Sequence, residues 1–269
     1  MMRRIRWTLL AAVAVIGFAS IASAADMPAK GIWYTKVPTA ALDINWTGFY
    51  VGGDVGGLWS SNTGTWTPFP SPVAFGIFGQ SGSNGGSSFV GGLHAGYNWQ
   101  FAPTWVAGIE GDWSWTKASG SSSQIWAFDP PPGTLTGSVT NMSSSLDWVS
   151  SLRARLGYLF FHNLLAYGTG GVAWTKIDYA ANNSNGFVGL GSYITNAAVS
   201  RTQAGYTVGG GLEWAITNNW LLRGEYLYYH FNSGPSVVAQ SINFPTFQSG
   251  YSWSSTNVSV ARVGMSYKF

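Results

Sequence analysis

The chain has 269 residues, of which 9% are charged and 16% aromatic, with 36 glycines. A soluble globular protein is roughly 25% charged, and past the N-terminus no apolar run nears the roughly 20 residues of a membrane helix, so the composition points to strands that contact lipid. There are no cysteines, which excludes disulfides, zinc–thiolate sites and thiol nucleophiles.

The first 24 residues, MMRRIRWTLLAAVAVIGFASIASA, read as a cleaved secretory signal. Arg3, Arg4 and Arg6 form the basic start, 9–21 the apolar core, and Ala22, Ser23 and Ala24 the small-residue cleavage site. Those three arginines account for the whole formal charge of +3, so the remainder is neutral. With no Lys/Arg cluster, nucleic acid is not expected as a partner. Residues 25–45 carry Pro28 and Pro38 without a clear period and read as a periplasmic leader. The barrel domain is then expected over 46–269.

Eight segments of alternating hydrophobicity follow. WTGFYVGGDVGGLWS sets Phe49, Val51, Val55 and Trp59 against Tyr50 and Asp54. SFVGGLHAGYNWQF sets Leu93, Ala95, Tyr97 and Trp99 against His94, Asn98 and Gln100. WVAGIEGDWSWT sets Trp105, Ile109, Trp113 and Trp115 against Glu110 and Asp112. LDWVSSLRARLGYLF sets Trp148, Leu152, Leu156 and Tyr158 against Asp147, Arg153 and Arg155.

LLAYGTGGVAWT is less clearly two-faced, with Ala166, Val172 and Trp174 outward and Tyr167 and Thr169 inward. GYTVGGGLEWAI sets Tyr206, Val208, Leu212 and Trp214 against Thr207 and Glu213. WLLRGEYLYYHF, begun by Trp220, sets Leu222, Tyr226 and Tyr228 against Arg223 and Glu225. In the last segment, ending ARVGMSYKF, Val263, Met265, Tyr267 and Phe269 oppose Arg262 and Lys268.

Short turns (102–104, 161–163, 217–219) alternate with long polar connections (61–87, 117–145, to about 203, and 232–254). Such alternation is the signature of an eight-stranded antiparallel up-and-down transmembrane β-barrel, with long extracellular loops and short periplasmic turns. A soluble sandwich or lipocalin-like barrel has the same period. It would turn its charges outward over a Lys- and Glu-rich surface, which this composition does not provide. Strand-like pieces at 186–194 and 236–244 leave ten strands as an alternative.

The outward faces carry no Asp, Glu, Lys or Arg. A midplane Arg or Lys facing lipid costs about 2–4 kcal/mol. The inward faces hold Asp54, Glu110, Asp112, Asp147, Arg153, Arg155, Glu213, Arg223, Glu225, Arg262 and Lys268. Eight strands enclose room only for side chains, so these charges should pair as a plug, with strand glycines making space. Trp59, Trp99, Trp105, Trp115, Trp148, Tyr158, Trp174, Trp214 and Trp220 fall at strand ends, as an aromatic girdle would.

Three runs carry a family resemblance: Asn45-Trp46-Thr47-Gly48-Phe49-Tyr50-Val51-Gly52-Gly53, Thr207-Val208-Gly209-Gly210-Gly211-Leu212-Glu213-Trp214 and Arg223-Gly224-Glu225-Tyr226-Leu227-Tyr228-Tyr229. With the C-terminal strand and the Ala25-Asp26-Met27-Pro28 leader, they resemble the small outer-membrane β-barrel proteins of alphaproteobacteria. That group is related to the OmpA-type transmembrane domain and is called porin-family or opacity-like. His230 stands where the group usually has Asp, and Gly224 where it often has Ala. The resemblance implies export to the outer membrane of a Gram-negative bacterium and folding by the barrel assembly machinery. It also implies both termini in the periplasm and Met265, Tyr267 and Phe269 as a C-terminal assembly signal. Because the sequence stops at the barrel, no peptidoglycan-binding domain is expected. Outer-membrane lipid and lipopolysaccharide are the expected surroundings, and oligomers are allowed.

No cofactor, metal or catalytic group is expected. His94 reads as a hydrogen-bonded core residue, His162 lies in a turn, and His230 with Ser233 is a weak enzyme signal. Gly209-Gly210-Gly211 lies within a strand, not before a helix, and is no phosphate loop. The first functional expectation is a structural surface barrel with a plugged interior. The alternatives are a small-solute porin, oligomeric or ten-stranded, and a surface binder using Trp66, Phe69, Phe75, Phe78 and Trp126.

Overall fold

A computed structural model of the chain describes residues 44–69, 79–127, 135–187 and 191–269. The signal, the leader up to residue 43, Phe75, Phe78 and the three consecutive prolines at 130–132 lie outside the described residues.

Eight strands close into an antiparallel barrel: β1 (Gly48–Ser61), β4 (Gly86–Ala102), β5 (Trp105–Ala127), β6 (Leu135–Phe161), β7 (Leu164–Phe187), β8 (Gly191–Ala215), β9 (Trp220–Ser233) and β12 (Ser255–Lys268). Closure comes from β12 pairing with β1, for example Tyr267 with Val51 and Val263 with Val55. Four shorter strands, β2 (Thr63–Phe69), β3 (Gln80–Ser83), β10 (Ser236–Gln240) and β11 (Gln248–Trp253), form a second sheet in the order β10-β11-β2-β3.

The barrel has eight strands, not ten. The piece at 186–194 spans the end of β7 and the start of β8, and 236–244 supplies β10 of the second sheet.

What the sequence presents as long polar loops is mostly strand. β6 runs for 27 residues, where a tilted membrane strand needs only 9–11. At about 3.3 Å per residue, that is close to three times the membrane requirement. The four short strands continue four of the barrel staves: β2 follows β1, β4 follows β3, β10 follows β9, and β12 follows β11. The second sheet therefore keeps the cyclic order of the barrel, and the tube is prolonged on its extracellular side. Ser, Thr, Asn and Gly dominate there because both faces of these strands meet water or hydroxyl-lined core, so no apolar alternation marks them.

A band of exposed apolar side chains circles the lower barrel, including Val55, Leu93, Ile109, Leu152, Val208 and Val263. The aromatics noted in the sequence border it. Trp59, Trp99, Trp105, Trp115, Tyr158, Trp174, Trp214 and Trp220 are all exposed. Trp148 is half-buried and stacks on Trp113, ring centroids 4.4 Å apart. Trp105 with Tyr158, and Trp220 with Tyr267, make edge-on pairs at 5.3 and 5.2 Å across neighbouring strands.

Candidate functional site

The interior is filled in layers. At the periplasmic end, Ile44 and Trp46 precede β1 and turn into the barrel mouth. They pack with Val106, Leu159, Leu165, Tyr167, Ala215 and Leu221. Trp46 is fully buried. Its backbone N–H donates to Gln100 Oε1 at 3.0 Å and its indole N–H to the His162 carbonyl at 3.3 Å.

Above this layer lies the ion network. Glu110 receives Arg153 at 2.5 Å and Arg223 at 2.7 Å, and the Tyr50 hydroxyl donates to it at 2.7 Å. Arg262 reaches Asp54 and Asp112, each at 3.2 Å, and Glu225 at 2.7 Å. Arg153 also holds Glu225 at 2.9 Å, Arg223 holds Asp54 at 3.2 Å, and Arg155 holds Glu213 at 2.5 Å. On β7, Tyr167 donates to Glu225 at 3.1 Å. His94 on β4 bridges Asp54 at 3.0 Å and the Ser266 hydroxyl at 2.7 Å. All eight staves thus contribute a side chain.

Alternation aims these residues inward, and glycines across the ladder give them room. A Cβ on Gly52 would stand 2.4 Å from His94 Nε2, and one on Gly56 2.7 Å from the Arg262 Cα. Charges buried so deeply persist only when paired, and every Arg here has at least one carboxylate partner.

Two residues expected in this network are elsewhere. A bulge between Leu146 and Trp148 leaves Asp147 out of the ladder. The phase of β6 shifts there, so Leu146 and Val149 are both buried while Asp147 is partly exposed. Asp147 accepts from Lys176 on the outer surface at 3.3 Å, and Asp178 stands 3.7 Å from the same lysine. Lys268 is buried and does point inward, but its ammonium donates to the Asn45 carbonyl at the periplasmic mouth. The network therefore comprises five carboxylates, four guanidiniums and His94, with Tyr50, Tyr167 and Ser266 as partners.

Over the ions sits a second apolar layer containing Leu58, Val90, Leu146, Val149, Ile177, Leu227, Phe231, Val258 and Val260. It continues into the extension through Trp66, Met142, Tyr179, Tyr251 and Trp253. Trp66 is fully buried, so it is a core residue and offers no ring to an outside ligand. Higher still, hydroxyls and amides fill the tube. Asn183 donates to Thr140 Oγ1 at 2.8 Å, and Tyr251 lies 2.6 Å from Thr195 Oγ1. Burial pushes the Tyr251 phenol up to about 12.

Ser266, His94 and Asp54 form a relay with the spacing of a hydrolase triad. Ser266 is 1% exposed, lies inside the closed wall, and has apolar layers on both sides of its level. Asp54 is also bound by two guanidiniums. The relay is buried within the ion network. His230 sits against Asn257 Oδ1 at 2.7 Å.

A closed eight-stranded tube with an apolar outer band, aromatic borders and an ion-paired interior is a barrel of the outer-membrane type. The chain matches the family model "Outer membrane protein beta-barrel domain" over residues 11–269 and belongs to that family. It is 32% identical to the 31 kDa outer-membrane immunogenic protein of Brucella melitensis over 97% of this chain and 98% of that protein. It is 31% identical to the 22 kDa outer membrane protein of Rhizobium leguminosarum over 70% of this chain and 66% of that one. Among solved structures, OprG of Pseudomonas aeruginosa is similar with a TM-score of 0.43 and 11% identity, covering 85% of this chain and 99% of OprG.

Proposed function

We propose that the protein is a structural, non-enzymatic surface barrel. It supports the outer membrane and displays an extracellular tube. The observation that carries this reading is the filled interior: apolar plug, ion network, apolar layer and hydroxyl core follow one another along the tube. A porin needs a continuous polar lumen, and Leu227, Phe231, Val258 and Trp253 occupy the level where it would run. The exposed apolar band faces lipid and lipopolysaccharide. Met265, Tyr267 and Phe269 serve as the signal read by the assembly machinery, and residues 1–24 are removed on export.

Reconstitution of the refolded chain in a planar bilayer tests the reading. The expected record is free of large, stable single-channel steps, and a reproducible conductance of porin size overturns it.

A further inference from the structure

The hydrogen-bond ladder of the extracellular tube breaks between β8 and β10, although the two strands still lie side by side. The β8–β9 ladder ends at Gly205 with Phe231. Eleven residues further out on each strand, the Ile242 N–H donates to the Ile194 carbonyl at 2.9 Å. The same register therefore holds at both ends. Between them, β8 pairs only with β7 and β10 only with β11.

The cause is local. Gly234 and Pro235 follow the end of β9. The chain turns toward β11 instead, with Gly234 N–H on the Ser254 carbonyl and Trp253 N–H on the Pro235 carbonyl, both at 3.2 Å. The join between β3 and β5 is interrupted in the same way. There a Cβ on Gly82 would lie 2.5 Å from Ser122 Oγ, and Ser122 donates to Asn84 just past β3 at 2.7 Å.

Arg201 marks the opening. Its cross-strand partner Ile177 is buried, at 1% exposure, and paired residues share a face. Arg201 should then be buried too, yet it is exposed. It has no ion-pair or hydrogen-bond partner among the described residues. Below it, Gln203 Oε1 and the Trp253 indole N–H are buried without partners. Gln203 donates from its other amide atom to Tyr179, whose ring lies 5.0 Å from Trp253.

We propose that this break takes an extended, acidic polypeptide segment by strand addition. Ile194 turns its carbonyl toward β10, so by alternation Asn196, Ala198, Ser200 and Thr202 present their backbone N–H and C=O groups to the break. A row of unpaired edge groups is matched by the backbone of another extended chain. Arg201 selects a carboxylate, side-chain or terminal, which can take its guanidinium in a forked pair. The half-buried Lys176 close by is already held by Asp147 and Asp178, which leaves Arg201 as the cation at this join for a partner. Entry releases the Ile242–Ile194 bond and the Asn243–Ser192 bond at the tip, and β10 moves aside.

The test uses the full chain refolded in detergent micelles. The probe is a fluorescein-labelled peptide of about nine residues, alternating Thr and Val and ending in Asp. Saturable binding by anisotropy is expected, with protection of the Asn196, Ala198, Ser200 and Thr202 amides from hydrogen exchange. A peptide with Pro at alternate positions should bind at least about tenfold more weakly, because it cannot donate to the edge. Arg201→Gln should reduce affinity for the acidic peptide about tenfold while leaving an amidated, Asn-ended peptide unchanged. An oxidised Ala198→Cys/Val238→Cys pair should lock the break and abolish binding, and reduction should restore it. Absence of binding at millimolar peptide, equal binding of the proline peptide, or binding that survives the lock overturns the proposal. So does finding those four amides already protected in the free protein.

Discussion

Arg262 on the last barrel strand and Asp54 on the first stand 3.2 Å apart, joining residues 208 positions apart in the chain across the β1–β12 closure. Arg262 also holds Asp112 and Glu225. Removing it takes one guanidinium from each of three buried carboxylates, and breaking buried pairs in this way costs about 3–5 kcal/mol. Arg262→Met should lower the urea midpoint of the folded barrel by a corresponding amount, read from the mobility shift between unboiled and boiled samples. Adding Glu225→Gln should recover part of the loss. A single variant as stable as the parent would mean that the network fills space without holding the barrel together.

The periplasmic plug makes a separate claim. Trp46 is fully buried although it lies before the first strand. Trp46→Ala removes its packing against Leu159, Leu165 and Leu221 and should cost about 3–5 kcal/mol. Because the ion network stands above it, the variant should still show no channel steps in a bilayer. Loss of stability together with a new conductance would show instead that Trp46 is the gate.

Much of the barrel is legible in the sequence because lipid enforces a strict rule on one face. Val55, Ile109, Leu152 and Val263 must be apolar, so the two-residue period is clean there. The inward charges follow by parity from those faces. Asp147 breaks the inference because a bulge shifts parity by one residue, and nothing in LDWVSS signals a bulge. Lys268 obeys parity, but its partner Asn45 lies outside any strand and leaves no pattern. The extension escapes for another reason. Its strands have water on one face and a mixed core of hydroxyls, amides and scattered rings such as Trp66 and Trp253 on the other, so no clean apolar period marks them. The apolar interior residues Leu227, Phe231, Val258 and Val260 are masked in turn, since outward neighbours such as Tyr226 and Tyr228 are equally apolar.

Phe269 separates assembly from stability. Its N–H donates to the Phe49 carbonyl at 2.9 Å, and its ring meets Tyr267 edge-on at 5.2 Å while staying largely exposed. Deleting it removes one hydrogen bond, worth about 1 kcal/mol, and little buried area. The refolded truncation should therefore melt close to the parent in detergent. Its amount in the outer membrane of cells should nonetheless fall severalfold, as expected of a lost assembly signal. Normal surface levels would defeat that role.

The extracellular tube should come apart at alkaline pH through its buried phenols. Tyr251 is 1% exposed, and its hydroxyl donates to the Thr195 carbonyl at 3.2 Å. Burial raises its pKa to about 12, against about 10 in an unfolded chain. Burial also raises Tyr193, which sits 2.9 Å from Ser249 in the same core. Below pH about 10 both states keep the proton and Tyr251 leaves stability unchanged with pH. From about 10 to about 12 the unfolded form ionises while the folded form does not, so stability falls steadily as pH rises. Tyrosinate absorbance during titration, with circular dichroism alongside, should show a late phase coupled to loss of strand signal. Tyr251→Phe keeps the ring and removes the titration, so it should weaken that phase. An unchanged alkaline transition in the variant would assign the loss to other groups.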